Sequence, residues 1–359
     1  MRQFRESFHE RFWSQLARYA AGAGPTEVGK PGARAPRITP EQQDAINKGL
    51  RWLERNQTRD GHWKTDAAHN STTLTSLAGM ALLMQGSSIK EGEYAESIRK
   101  AVDWLMARSE VNGLIGIPKD AEEAKKYLEG HGHAMLFLAS VYGDEEDADR
   151  RRKLEKVLTH AVEFSVKAQT PGGGWGYVMR GLAKEDDENA EVVPTVLQLR
   201  ALLAIRNVGI TVPKLAISAA QSYLIKNVDP STPTVLPGLL GACYPLKEIS
   251  SGTAKKWLPA AQKREPDFHA KGRPTPDEVC SFAQLAYLLG DEGYARLLPD
   301  SEASERIIWS EFRKKAFAYL MKTQNRDGSW ILESGDVYAT ALYLAILQLD
   351  SEAVPIYQR

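Results

Sequence analysis

The sequence predicts an all-α fold, an (α/α)6 toroid of six helical hairpins, and three observations predict it. Strand signals are absent, since no sustained period-two run of Val, Ile and Thr lies between hairpin turns. Apolar residues instead recur at spacings of three and four along most of the chain. A short pattern of Gln, Gly and Trp also repeats at intervals that fit one helical hairpin each.

Residues 1–20 carry Phe4, Phe8, Phe12, Leu16 and Tyr19 on one helical stripe, which predicts a short amphipathic helix. Such a helix docks on its own domain, or, given Trp13 and its arginines, on a protein partner or as a peripheral membrane contact. Residues 21–38, rich in Gly, Pro and Ala, read as a linker. The main domain, 39–359, opens at Thr39-Pro40-Glu41-Gln42. Thr39 suits an N-cap, Pro40 the first helical position, and Gln42 the return bond of a capping box.

From there three segments superimpose without a gap. Trp52 leads to Gln57, Gly61 and Trp63; Phe164 leads to Gln169, Gly173 and Trp175; Tyr319 leads to Gln324, Gly328 and Trp330. Weaker copies start at Trp104, which keeps Gly113, at Tyr223, and at Trp257, which keeps Gln262. In each copy an amphipathic helix ends near the Gln and a glycine turn stops it. The Trp then folds back over the turn, with its indole N–H seeking an acceptor. A more apolar helix follows, expected at 72–84, 134–142, 193–205, 235–244, 279–289 and 337–349. The stretch 249–277 is the least regular and has room for a long loop. Burying six apolar helices against one another closes an inner ring inside an outer one; an open solenoid is the competing arrangement.

The Gln-x-x-x-Gly-x-Trp pattern resembles the repeat shared by squalene and other class II terpene cyclases and by the β subunits of protein prenyltransferases. The resemblance covers about residues 40–350 and implies the toroid. More narrowly, Gly132-His133-Ala134, the run Ala168-Gln169 to Gly173-Gly174-Trp175, and the ending Tyr338-Ala339-Thr340-Ala341 to Pro355-Ile356-Tyr357-Gln358-Arg359 are similar to planctomycete-type bacterial "prenyltransferase and squalene oxidase repeat" proteins.

The chemistry of these families is not carried over intact. Alkene protonation in the cyclases needs an Asp-x-Asp-Asp run, in which neighbouring carboxylates keep one aspartate protonated and acidic. None occurs here, and the acidic runs 144–147 and 185–188 read as solvated faces. The prenyltransferase resemblance implies a zinc site of Asp, Cys and His. Asp277 and Cys280 suggest the first two, and Asp336-Val337-Tyr338-Ala339-Thr340 matches the last context with Ala339 in place of the histidine.

A third arrangement follows from the toroid itself. Parallel inner helices gather their N-termini at one mouth, where Asp66, His69, His131, His133, Asp187, Glu191, Asp277, Cys280, Asp336 and Tyr338 begin them. The aspartates fit N-caps, whereas histidine is not a favoured cap, which makes His69 and His133 the residues to explain. No cofactor is expected; a divalent metal requires three or four of these groups to converge. Phe137, Tyr287, Tyr338 and Tyr343 sit on the apolar helices, as core or as the lining of a cavity suited to an isoprenoid.

Composition narrows the partners. The 359 residues carry 46 Lys plus Arg against 46 Asp plus Glu, a balance that argues against binding nucleic acid by bulk charge. Two cysteines, Cys243 and Cys280, make no disulfide framework. No apolar run reaches the roughly 20 residues that span a bilayer, and no signal-peptide core begins the chain, so an intracellular, cytoplasmic protein is expected. The leading function is a toroid that binds an apolar, isoprenoid-type small molecule. A catalytically silent protein scaffold is the alternative, and a carbohydrate-active toroid using carboxylates such as Asp187 and Glu191 is the weaker one.

Overall fold

The computed structural model describes residues 38–64, 69–118, 123–179, 190–242, 250–270 and 272–351. The expected N-terminal helix, the linker up to residue 37, Asp66, Asp187, Cys243 and residues 352–359 lie outside the described residues. Ile38, the last residue assigned to the linker, packs on the core.

Thirteen α-helices and no strand form among the described residues. They are α1 (Pro40–Asn56), α2 (Ser71–Met84), α3 (Ala95–Met106), α4 (Tyr127–Tyr142), α5 (Ala148–Ala168), α6 (Val192–Asn207) and α7 (Lys214–Asn227). After them come α8 (Val235–Ala242), α9 (Ser251–Gln262), α10 (Pro276–Leu289), the short α11 (Gly293–Leu297), α12 (Trp309–Thr323) and α13 (Asp336–Leu347).

The apolar helices α2, α4, α6, α8, α10 and α13 touch one another in that order, and α13 returns to α2. This closes the inner ring and excludes the open solenoid. Helices α1, α3, α5, α7, α9 and α12 lie outside, each against an inner helix. Layering follows composition: every residue of α13 from Tyr338 to Leu347 is buried, whereas α1 buries only one stripe. The Thr39–Gln42 capping box forms as expected, with each side chain accepting from the other's backbone N–H.

The repeated triplet fastens three of the hairpins, each to the one that follows it around the ring. Gln57, Gln169 and Gln324 each donate Nε2–H to the carbonyl of their own turn glycine and to a carbonyl on the next outer helix around the ring. Those second acceptors are Ser97 of α3, Ala216 of α7 and Ala45 of α1. Trp63, Trp175 and Trp330 donate Nε1–H to Leu53, Ser165 and Leu320, ten residues back in each case. Their backbone N–H groups donate to Thr75, Thr195 and Thr340 at the start of the following inner helix. Gln324 therefore performs the closure, because the outer helix after the last hairpin is the first one.

Two expected boundaries change. Helix α4 begins at Tyr127, seven residues before the expected 134, and carries Gly130 and Gly132 inside it. Glycine disfavours helix in isolation, but a Cβ on Gly132 would stand 2.7 Å from Leu197 Cγ, so tight packing on α6 selects it. The irregular stretch 249–277 contains α9, with the Ser250 side chain accepting from Thr253 N–H as its cap and Trp257 buried.

Candidate functional site

Polar side chains from the N-terminal ends of several inner helices meet at one mouth of the ring. His69, just ahead of α2, stacks face to face on Tyr338 of α13, with ring centroids 3.5 Å apart and planes within 8°. The Tyr338 hydroxyl donates to the Asp277 carboxylate of α10. His69 Nδ1 stands 3.9 Å from Glu129 Oε1 of α4. Residues on three separate helices and the segment leading into a fourth thus come together, which is possible only if the inner helices start at the same end.

A second tier lies deeper. His133 follows Glu129 by four residues and shares its face of α4. Cys280 and Gln284 continue the Asp277 stripe down α10. Gln284 donates to Cys280 Sγ at 3.2 Å and accepts from Arg200 of α6 at 2.9 Å. His133 is surrounded by protein yet keeps some accessible surface. The side chains of His69 and Glu129 likewise retain 12% and 15% of their exposure.

Burial sets the protonation states. It holds His69 below the ordinary imidazole range, with Lys126 acting in the same direction and Asp277 against it. It pushes His133 down to about 3, reinforced by His69 and Arg200. Burial raises the Glu129 carboxyl, opposed by Lys126 and reinforced by Asp277. It raises the Tyr338 hydroxyl well above the phenol range, and Asp277 adds to this. Tyr177, whose ring centroid lies 5.4 Å from Lys126 Nζ, is pushed up to about 12 by burial and by Glu129. Burial thus disfavours the charged forms of both imidazoles and of the Glu129 carboxyl.

The other expected site residues are placed differently. His131 points away from the mouth, because two residues along a helix rotate a side chain by about 200°. Its ring bonds the Ile115 N–H and Ser165 Oγ, and it belongs to the wall between α4 and α5. Asp336 faces its own turn, where burial and then Asp327 raise its carboxyl. Glu191 occupies the cap position of α6 without a side-chain cap bond; it is exposed, and its backbone N–H donates to the Trp175 carbonyl.

Of the aromatics read as core or lining, Tyr338 alone joins the cluster. Phe137 packs where α2 thins to Gly79, with no exposed surface. Tyr287 meets Trp309 edge-on at 5.3 Å, and Tyr343 meets Trp330 at 5.7 Å. All three are buried in the core.

Zinc chemistry finds little purchase on these residues. Burial and Asp277 push the Cys280 thiol up to about 12, so it is not a ready thiolate. Among the described residues, no three of His, Cys, Asp and Glu stand close enough to share a metal ion.

Glu129, Arg200 and Gln284 join the site without having been expected from the sequence. The Glu129–His133 spacing becomes visible once α4 is extended to Tyr127. The Asp277, Cys280, Gln284 stripe shows the i, i+3, i+7 spacing of one helix face.

At the opposite rim, a cleft of about 690 Å3 opens between α3 and α5. Its charges pair internally: Lys90 with Glu146 at 2.6 Å and Arg150 with Asp103 at 2.7 Å. The acidic run 144–147 is therefore not simply a solvated face, since Glu145 is buried beside Arg150 and Asp147 caps α5. Such a cleft does not suit an apolar ligand.

No protein-family model and no curated protein matches the chain. Solved structures do. The type II terpene cyclase MstE from Scytonema, free of ligand, matches with a TM-score of 0.58 and 13% identity over 89% of this chain and 100% of that one. The terpene cyclase fold is shared. A variant of MstE in complex with its substrate, geranylgeranyl dihydroxybenzoate, matches at a TM-score of 0.57 and 14% identity, covering 87% and 98% of the two chains. A protein from Actinoplanes matches at 0.58 and 13% identity, covering 87% and 99%. No helix among the described residues is long and apolar enough to cross a membrane.

Proposed function

We propose that this terpene cyclase-like toroid binds an apolar, isoprenoid-type small molecule in the space inside its inner ring, with the ligand's polar end at the His69–Glu129–Asp277–Tyr338 mouth. The observation that carries the reading is the convergence of these side chains, with His133 and Arg200, from four inner helices and the segment just ahead of a fifth. The likeness to MstE, which takes a geranylgeranyl substrate, supports the ligand class. Classical alkene protonation is not part of the proposal, because the Asp-x-Asp-Asp run is missing. Any catalysis here is terpenoid cyclase- or prenyltransferase-like in lineage and uses a weaker acid.

The test is mass spectrometry of an organic extract from the natively folded protein, beside a denatured control. A single enriched polyprenyl or triterpene species is the expected result. An extract indistinguishable from the control counts against the ligand and moves the reading to a protein-binding scaffold.

A further inference from the structure

His69 Nδ1 is buried and has no hydrogen-bond partner, a costly arrangement for a ring nitrogen. Glu129 Oε1 is 3.9 Å away, beyond hydrogen-bond range. Two such atoms are close enough for one oxygen at about 2.8 Å from each to bridge them. The ring cannot swing freely to another partner, since its face is stacked on Tyr338 and the Tyr338 hydroxyl is held by Asp277.

We infer that the His69–Glu129 pair binds the oxygen of a neutral, oxygen-bearing head group, an alcohol or phenol, on the apolar ligand proposed above. The inference rests on that reading of the cavity and adds the chemical class of the ligand's polar end. With His69 in its Nε2–H tautomer, Nδ1 accepts the ligand O–H. Burial keeps the Glu129 carboxyl protonated more readily than usual, and in that form it donates to the same oxygen.

A diphosphate fits the same spot poorly. Asp277 flanks it, His69 and His133 are disfavoured as cations by burial, and Lys126 sits over the Tyr177 ring. Arg200 lies in the tier below, bonded to Gln284. A multiply charged anion at the mouth therefore faces Asp277 with few cations to offset it.

The experiment compares three probes that share one hydrocarbon chain, namely farnesol, the hydrocarbon farnesene and farnesyl diphosphate, by quenching of tryptophan fluorescence. Farnesol is expected to bind about tenfold more tightly than farnesene, and more tightly than the diphosphate. His69→Phe keeps the stack on Tyr338 and removes Nδ1; it, and independently Glu129→Leu, should bring the ratio close to one while farnesene affinity holds. Unchanged farnesene binding reports that each variant is folded, and the wild-type ratio decides if one is not. Equal binding of farnesol and farnesene, a preference that survives His69→Phe, or tighter binding of the diphosphate overturns the inference and leaves the cavity reading standing. Binding of none of the three probes overturns both.

Discussion

At the scale of single residues, the buried histidines have the clearest thermodynamic consequence. His131 accepts the Ile115 N–H on Nδ1 at 3.0 Å, which leaves Nε2–H to donate to Ser165 Oγ at 3.1 Å. Ser165 passes the chain to Gln198 at 2.9 Å, and Gln198 Nε2 ends it on the Leu128 carbonyl at 2.7 Å. A second proton on the ring would point at a backbone N–H, and burial pushes the His131 value down to about 3. An unfolded chain takes that proton near pH 6.5, so the stabilisation is complete above that pH and is lost as pH falls towards 3. Between pH 6.5 and 5 only the unfolded state gains the proton, which amounts to about 2 kcal/mol for each such histidine. His133 adds the same dependence. The urea midpoint should fall steeply from pH 7 to 5. His131→Gln should be less stable at pH 7 yet show a shallower fall, and an unchanged slope would contradict the assignment.

At the scale of elements, the turn glycines separate backbone strain from contact. Gly328 holds φ at +101°, and a Cβ there would stand 2.2 Å from the Lys48 carbonyl oxygen of α1. Gly209 holds φ at +90° with nothing within 4 Å of the same position. Gly209→Ala should therefore cost about 1 kcal/mol from conformation alone. Gly328→Ala must also push two helices apart and should cost about 3 kcal/mol or more. Thermal denaturation of the two variants checks this, and equal losses would mean that the hairpin contact is not under pressure. Elements were also where reading by pattern was strongest and weakest. The Gln, Gly and Trp spacing located three hairpins correctly, because each bond it makes is either local or to a fixed position on another hairpin. It placed the start of α4 too late, because Gly130 and Gly132 look like breakers until α2 and α6 pack on them.

At the scale of the whole molecule, closure changes how the chain should unfold. In an open stack the end hairpins fray independently. Here Gln324 bonds Ala45 of α1, and Gln348 and Ser351 beyond α13 bond the carbonyls of Ala81 and Met84 in α2. Both ends of the described domain are thus interior to the ring. Urea unfolding followed by tryptophan fluorescence and by far-ultraviolet circular dichroism should give superimposable transitions. In Gly328→Ala, hydrogen exchange should rise in α1 as well as in α12; a rise confined to α12 would show the seam to be weaker than its bonds suggest.

The sequence by itself determined the all-helical class, the hairpin repeat and the inner and outer layers, since each depends on spacings within a single hairpin. It also pointed to His69, His133, Asp277 and Tyr338 by their places at helix starts. Which of these meet was decided by the tertiary structure. The His69 stack on Tyr338 and the approach of Glu129 join residues 60 to 269 positions apart, on helices whose separation depends on every side chain packed between them. The same packing turned His131 and Asp336 away and put Phe137, Tyr287 and Tyr343 into helix contacts. Spacing along one helix fixes the direction of a side chain about that axis; only the closed ring fixes the distance from one axis to the next.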